Sequence, residues 1–214
     1  MALGLNLGAG LIWHAPIYRV LGMTVALLAI ALFFTYRHAA VTAREVALYL
    51  AFWSFFPLYA TQLSFLAATV DFPLQDNLFL FTDAAMGFHW DRWLSFSDHH
   101  PDLLQVQMYA YSSLGLQPLL TVPIVAMRGP PGRNSEFLTA VLLASGCTIA
   151  LFTLLPTVGP AAVFGQYALQ TKFIYALRAG VRGPYYPAGI VSFPSFHMEM
   201  ALLFAAAHRG IRTF

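Results

Sequence analysis

The residues best suited to chemistry lie in one short run, Ser192-Phe193-Pro194-Ser195-Phe196-His197, where a polar loop turns into an apolar stretch. Pro194 and Ser195 stand where a helix would begin. Ser195 can cap that helix while its first backbone amides point out of its end. Free amides at the positive end of a helix dipole form an anion site. His197 lies in the first turn beside it, and an imidazole near its own pKa can donate a proton at neutral pH, an effect typically worth about 10²–10⁴ in rate. Together they suit a phosphate group. A plainer reading stays open for each: Ser195 as a cap alone, and His197 as a donor to a loop carbonyl.

Other polar side chains are weaker candidates. Lys172, Arg178 and Arg182 lie upstream of this run and can bind phosphate as point charges or bidentate forks. Leu155-Pro156-Thr157-Val158-Gly159-Pro160 forms a rigid turn leading toward the same face. Glu199 falls inside the apolar stretch, where a charge is costly, so it should face the bundle or pair with Arg178 or Arg182. His89, Asp91, Asp98, His99 and His100 have ligand-type side chains, but their spacing fits no zinc pattern and a wetted loop is the better reading. Tyr111, Ser112, Ser113, Gly115 and Gln117 read as helix-packing positions, as do Ser145, Gly146 and Thr148. The single cysteine, Cys147, lies in an apolar run, so neither a disulfide framework nor a CxxC metal site is available.

The elements that must hold these residues are membrane helices. Of 214 residues, 59% are apolar or aromatic and 9% charged, against about 25% charged in soluble domains. Disorder is excluded by the same excess. A net charge of +2, scattered along the chain, offers no nucleic-acid surface. A helix needs about 20 apolar residues to cross the hydrocarbon core. Residues 17–36, 46–70, 103–127 and 137–155 meet that test, and 195–212 forms a fifth helix. Such unbroken runs do not fit the alternation of a membrane barrel, so the class is an all-α polytopic bundle. Residues 1–16 read as an interfacial or packing segment, with the Gly4 and Gly8 spacing a chance match to GxxxG.

Cations near helix ends set the orientation. Arg37 and Arg44, Arg128 and Arg133, and Arg209 and Arg212 share one side. Loops 71–102 and 156–194 then lie on the opposite, non-cytoplasmic side, periplasmic or lumenal. The first is acidic and rich in aromatics, which predicts short helices along the membrane surface.

The ordered set of motifs resembles the type 2 phosphatidic acid phosphatase superfamily. Ser-Phe-Pro-Ser-x-His-x3-Ala, residues 192–201, is similar to its second signature, commonly Pro-Ser-Gly-His, with Phe196 in place of Gly. That replacement points to the branch with inositol phosphorylceramide synthases. So do Asp83-x3-Gly87-Phe88-x-Trp90, Pro101, Tyr111-Ser112-x4-Gln117 and the 156–160 turn, in the order the branch shows. The resemblance implies a single six-helix membrane domain, five of whose helices are present, plus interfacial helices. It implies an enzyme acting on phosphorylated lipid headgroups, with membrane lipids as its partners and no cofactor or metal. His197 would be the general acid, and the Ser195 hydroxyl would donate a hydrogen bond to the phosphoryl oxygens. Lys172, Arg178 or Arg182 would bind phosphate, and Asp83 would join the site or serve as a structural cap.

Two departures stand out. Lys172-x5-Arg178 is one residue short of the first signature, Lys-x6-Arg-Pro, and lacks the proline. The third signature, Gly-His-x3-Asp, supplies the family's nucleophilic histidine, and only seventeen residues follow His197. His208 has Arg212 four residues on. The expectation is a C-terminally truncated chain, inactive alone, or a non-catalytic membrane protein that keeps a lipid-phosphate pocket. A transporter is disfavoured, because no pair of broken helices repeats across two halves.

Overall fold

The computed structural model describes residues 16–36, 41–164, 169–181 and 189–211. Every described element is a helix: α1 (Pro16–Tyr36), α2 (Val41–Ala68), α3 (Asp76–Ala85), α4 (Trp90–His99), α5 (Pro101–Ser113), α6 (Gln117–Arg128), α7 (Arg133–Leu154), α8 (Pro160–Val163), α9 (Leu169–Arg178) and α10 (Phe196–Ala207). Three of them, within 19–36, 41–68 and 133–154, are long and apolar enough to cross a membrane. The outward face of α1 is almost wholly apolar (Leu21, Val25, Leu28, Leu32), as a lipid-facing helix must be.

The stretch expected to span as one helix over 103–127 is two helices, α5 and α6, bent by 51° across a short break. Gly115 and Pro118 explain the break: glycine weakens a helix interior, and proline is tolerated only in the first turn of a new one. Counted as one span, the pair gives a fourth crossing. The helix expected over 195–212 is shorter. α10 ends at Ala207, and the chain turns at Gly210 with φ +77°, a left-handed conformation that terminates helices. Its 12 residues reach only about 18 Å. The acidic aromatic loop forms two short helices, α3 and α4. Residues 1–15, with Gly4 and Gly8, and Arg37, Arg182 and Arg212 lie outside the described residues.

α2, α6, α7 and α10 make the bundle, and their contacts fix its direction. Glu45 accepts from the amide of buried Asn134 at 3.0 Å, near the starts of α2 and α7. Farther along, Trp53 stacks on Phe137 (5.6 Å) and Phe204 (6.0 Å). α2 and α7 therefore run parallel. α10 runs against them, because Phe204 packs on Phe137 near the start of α7 while Glu199 meets Thr148 two-thirds of the way along it. One apolar cluster, including Phe56, Val125, Phe137, Val141, Met200 and Phe204, fills the end near Arg44 and Arg133. A second, including Phe65, Phe152, Val158, Ile174 and Ile190, fills the other end. The start of α10 faces that second end.

Candidate functional site

Ser195 has extended backbone at the start of α10, and its hydroxyl accepts the Met198 amide at 3.3 Å. The cap expected from sequence is thus present. A second ring holds the entry to the helix: Phe193 packs on Phe79 of α3 at 4.2 Å. Ser192 lies against the 156–160 turn, since a β-carbon built on Gly159 would meet its Oγ at 3.2 Å.

That turn is tied down by a residue sequence reasoning passed over. Asp76, in the first turn of α3, accepts from the Thr157 hydroxyl and from the amides of Val158 (3.1 Å) and Gly159 (3.0 Å). The Gln75 amide adds a bond to the Pro156 carbonyl at 2.8 Å. α3, the turn and the start of α10 are therefore one connected unit. A lone aspartate in a loop with six of them gave no signal that it reaches 81 residues downstream.

His197 follows in the first turn of α10, half-buried. Its ring lies flat against Tyr111 of α5, centroids 3.7 Å apart and planes within 16°. Among the described residues nothing hydrogen-bonds either of its nitrogens. Other helical histidines behave differently. His99, His100 and His208 each turn Nδ1 back onto the carbonyl four residues earlier, at 2.6, 2.7 and 2.8 Å. A histidine with a covered face and unbonded edges is free to serve a ligand.

Asp83 sits one turn beyond Phe79 on the same face of α3. Its carboxylate accepts the Trp90 indole N–H at 2.7 Å, and its carbonyl accepts the Phe88 amide at 2.9 Å. Gly87, with φ +86°, makes the tight return possible. These bonds give the Asp83-x3-Gly87-Phe88-x-Trp90 pattern a local structural meaning. No hydrogen bond among the described residues joins Asp83 to His197.

On α9, Lys172 is exposed, while the Arg178 side chain is 12% exposed. One guanidinium nitrogen of Arg178 lies 3.4 Å from the carboxylate of Asp71, which is itself 81% exposed. Nε and Nη2 are buried and have no hydrogen-bond partner among the described residues. Ile174, on the same face of α9, is fully buried in the cluster that holds Val158 and Ile190, so Arg178 belongs to the α10-start end of the bundle. Glu199 makes no ion pair with Arg178, and Arg182 lies outside the described residues. Both its carboxylate oxygens lie 2.6 Å from the Thr148 hydroxyl, because its place on α10 faces α7. Among the described residues no three His, Cys, Asp or Glu side chains are grouped to hold a metal.

A family model described as PAP2 superfamily matches residues 77–214. The chain belongs to the PAP2 superfamily. Comparison with curated proteins and with solved structures gives no match. For a PAP2 chain the coarse function is phosphatase-type and lipid-related, with phosphorylated lipids as the substrate class, and the apolar helices fit a multi-pass membrane protein. The matched region begins one residue after Asp76 and contains every candidate named above.

Proposed function

We propose that this PAP2 chain binds the phosphate of a lipid headgroup against the first turn of α10 and takes part in phosphoryl or phospho-headgroup transfer, nearest in kind to the inositol phosphorylceramide synthase branch. The phosphate oxygens take the first amides of α10 and the Ser195 hydroxyl, with cationic help from Arg178 and from Lys172 or Arg182. The bond from phosphorus to the leaving alcohol breaks, and His197 gives that oxygen its proton. Asp83 borders the site from α3. The attacking imidazole, which in the family forms a phosphohistidine before transfer to water or an alcohol, is assigned to no residue of this sequence. The loops that carry the site face the non-cytoplasmic side.

The observation that carries this reading is His197 itself: stacked on one face, unbonded at its edges, and one step inside a serine-capped helix start. The test is binding in nanodiscs. Short-chain phosphatidate should bind wild type, and His197→Ala should weaken it about tenfold, the loss of one hydrogen bond to a charged group. Unchanged affinity would remove His197 from the site. A helix carrying Gly-His-x3-Asp, fused after residue 214, should then give phosphate release that His197→Ala abolishes. Binding without release in that fusion would favour a second reading, a non-catalytic lipid-phosphate binder.

A further inference from the structure

The Tyr111 ring, read from sequence as a helix-packing position, lies at the α10 start. It projects from the last turn of α5, just before the break that swings α5 away from α6 by 51°. α6 goes on into the bundle, and its Val125 packs in the same cluster as Met200 and Phe204 of α10. The bend thus leaves Tyr111 over the start of α10, and 53% of the residue remains exposed. Tyr111 covers one face of the His197 imidazole, at 3.7 Å and nearly parallel.

We propose that Tyr111 is a positioning residue for His197. This rests on the reading of His197 as the group facing the phosphate. A histidine in the first turn of a helix, with no hydrogen bond to either nitrogen, is free to change rotamer. A flat ring against its face fixes the plane and leaves the Nδ1 and Nε2 edges open to a ligand. The contact uses the aromatic surface and not the phenol, so phenylalanine must serve as well as tyrosine. Side chains without a flat ring must fail.

The experiment compares wild type, Tyr111→Phe, Tyr111→Leu and His197→Ala in nanodiscs, with orthovanadate as the phosphoryl probe. Carbon- and nitrogen-labelled histidine gives the ring signals of His197, assigned by their loss in His197→Ala. Protons above an aromatic face are shielded, so these signals should lie upfield in wild type and Tyr111→Phe and return to the free-histidine position in Tyr111→Leu. Vanadate affinity should stay within about twofold in Tyr111→Phe and fall about three- to tenfold in Tyr111→Leu, the range of a lost aromatic pair.

Several outcomes overturn the idea, and they separate from one another. If His197→Ala weakens vanadate but Tyr111→Leu does not, the positioning role fails while the phosphate site stands. If His197→Ala leaves vanadate binding unchanged, the phosphate reading falls and takes this inference with it. Unshifted His197 signals in wild type refute the stack directly, whether or not Tyr111→Leu folds. A loss in Tyr111→Phe equal to that in Tyr111→Leu would assign the effect to the hydroxyl and refute positioning by the ring.

Discussion

Replacing Asp76 by alanine removes the acceptor for three donors at once: the Thr157 hydroxyl and the amides of Val158 and Gly159. Thr157 is only 3% exposed, so its hydroxyl has little water to turn to. The Gly159 amide keeps a partner, since it also lies 3.1 Å from the Thr157 oxygen. Two donors are therefore stranded. Hydrogen bonds to charged groups contribute about 1.5–3 kcal/mol each, and the half-open setting of Asp76 reduces that, giving a net cost of about 2–4 kcal/mol. Asp76→Asn keeps one carbonyl oxygen and should cost about 1 kcal/mol. Equilibrium unfolding in detergent, followed by tryptophan fluorescence, measures both. Thr157→Ala removes one of these bonds and strands neither amide, so it should cost less, about 1–2 kcal/mol, and be non-additive with Asp76→Ala, because both remove the same bond. If Asp76→Ala unfolds within about 0.5 kcal/mol of wild type, the range of an ordinary surface change, the turn holds without its carboxylate and the connected unit of α3, turn and α10 is wrong.

Two further substitutions test neighbouring contacts. Gly159→Ala must adopt φ +89° and place its β-carbon 3.2 Å from Ser192, so it should lose more than Gly87→Ala, whose φ of +86° opens on free space and costs only the dihedral term of about 1–2 kcal/mol; equal losses in detergent unfolding would deny the Ser192 contact. Thr148→Val strips Glu199 of its hydroxyl donor inside the bundle and should cost about 1.5–3 kcal/mol in the same assay, with Glu199→Gln in that background restoring part of the loss; no recovery would mean that the carboxylate is not what suffers.

The helices were legible because apolarity over 20 residues admits few alternatives, and the Ser-Phe-Pro-Ser-x-His run was legible because a cap, a proline and an apolar continuation act within six neighbours. What failed to show was anything that depends on two distant segments meeting. The break between α5 and α6 hides inside a continuous apolar run, with Gly115 and Pro118 its only trace. Glu199 was expected to face the bundle or pair with an arginine, and it faces the bundle; that its partner is the Thr148 hydroxyl on the facing helix could not be read from sequence. Asp76 and Tyr111 are each unremarkable in type. Their roles come from the partner, 81 residues away for Asp76 and on another helix for Tyr111.

Arg178 is where structure and function separate most cleanly. Its pair with Asp71 satisfies one guanidinium nitrogen, at 3.4 Å, and leaves Nε and Nη2 buried with no partner among the described residues. Unmade hydrogen bonds of that kind cost about 1–3 kcal/mol each, whereas an ion pair to a largely exposed carboxylate returns about 0–1 kcal/mol. Among the described residues the pair alone does not offset burying the arginine, which supports the proposed role of Arg178 as a phosphate ligand. Asp71 is then a competitor for that anion. Asp71→Asn should leave stability within about 1 kcal/mol of wild type and tighten phosphatidate binding in nanodiscs by removing a negative charge from the guanidinium. Arg178→Lys keeps the charge but loses the fork, and should weaken binding by about tenfold. The opposite pattern, in which Asp71→Asn weakens binding as much as Arg178→Lys does, would make the ion pair a structural brace and take Arg178 out of the phosphate site.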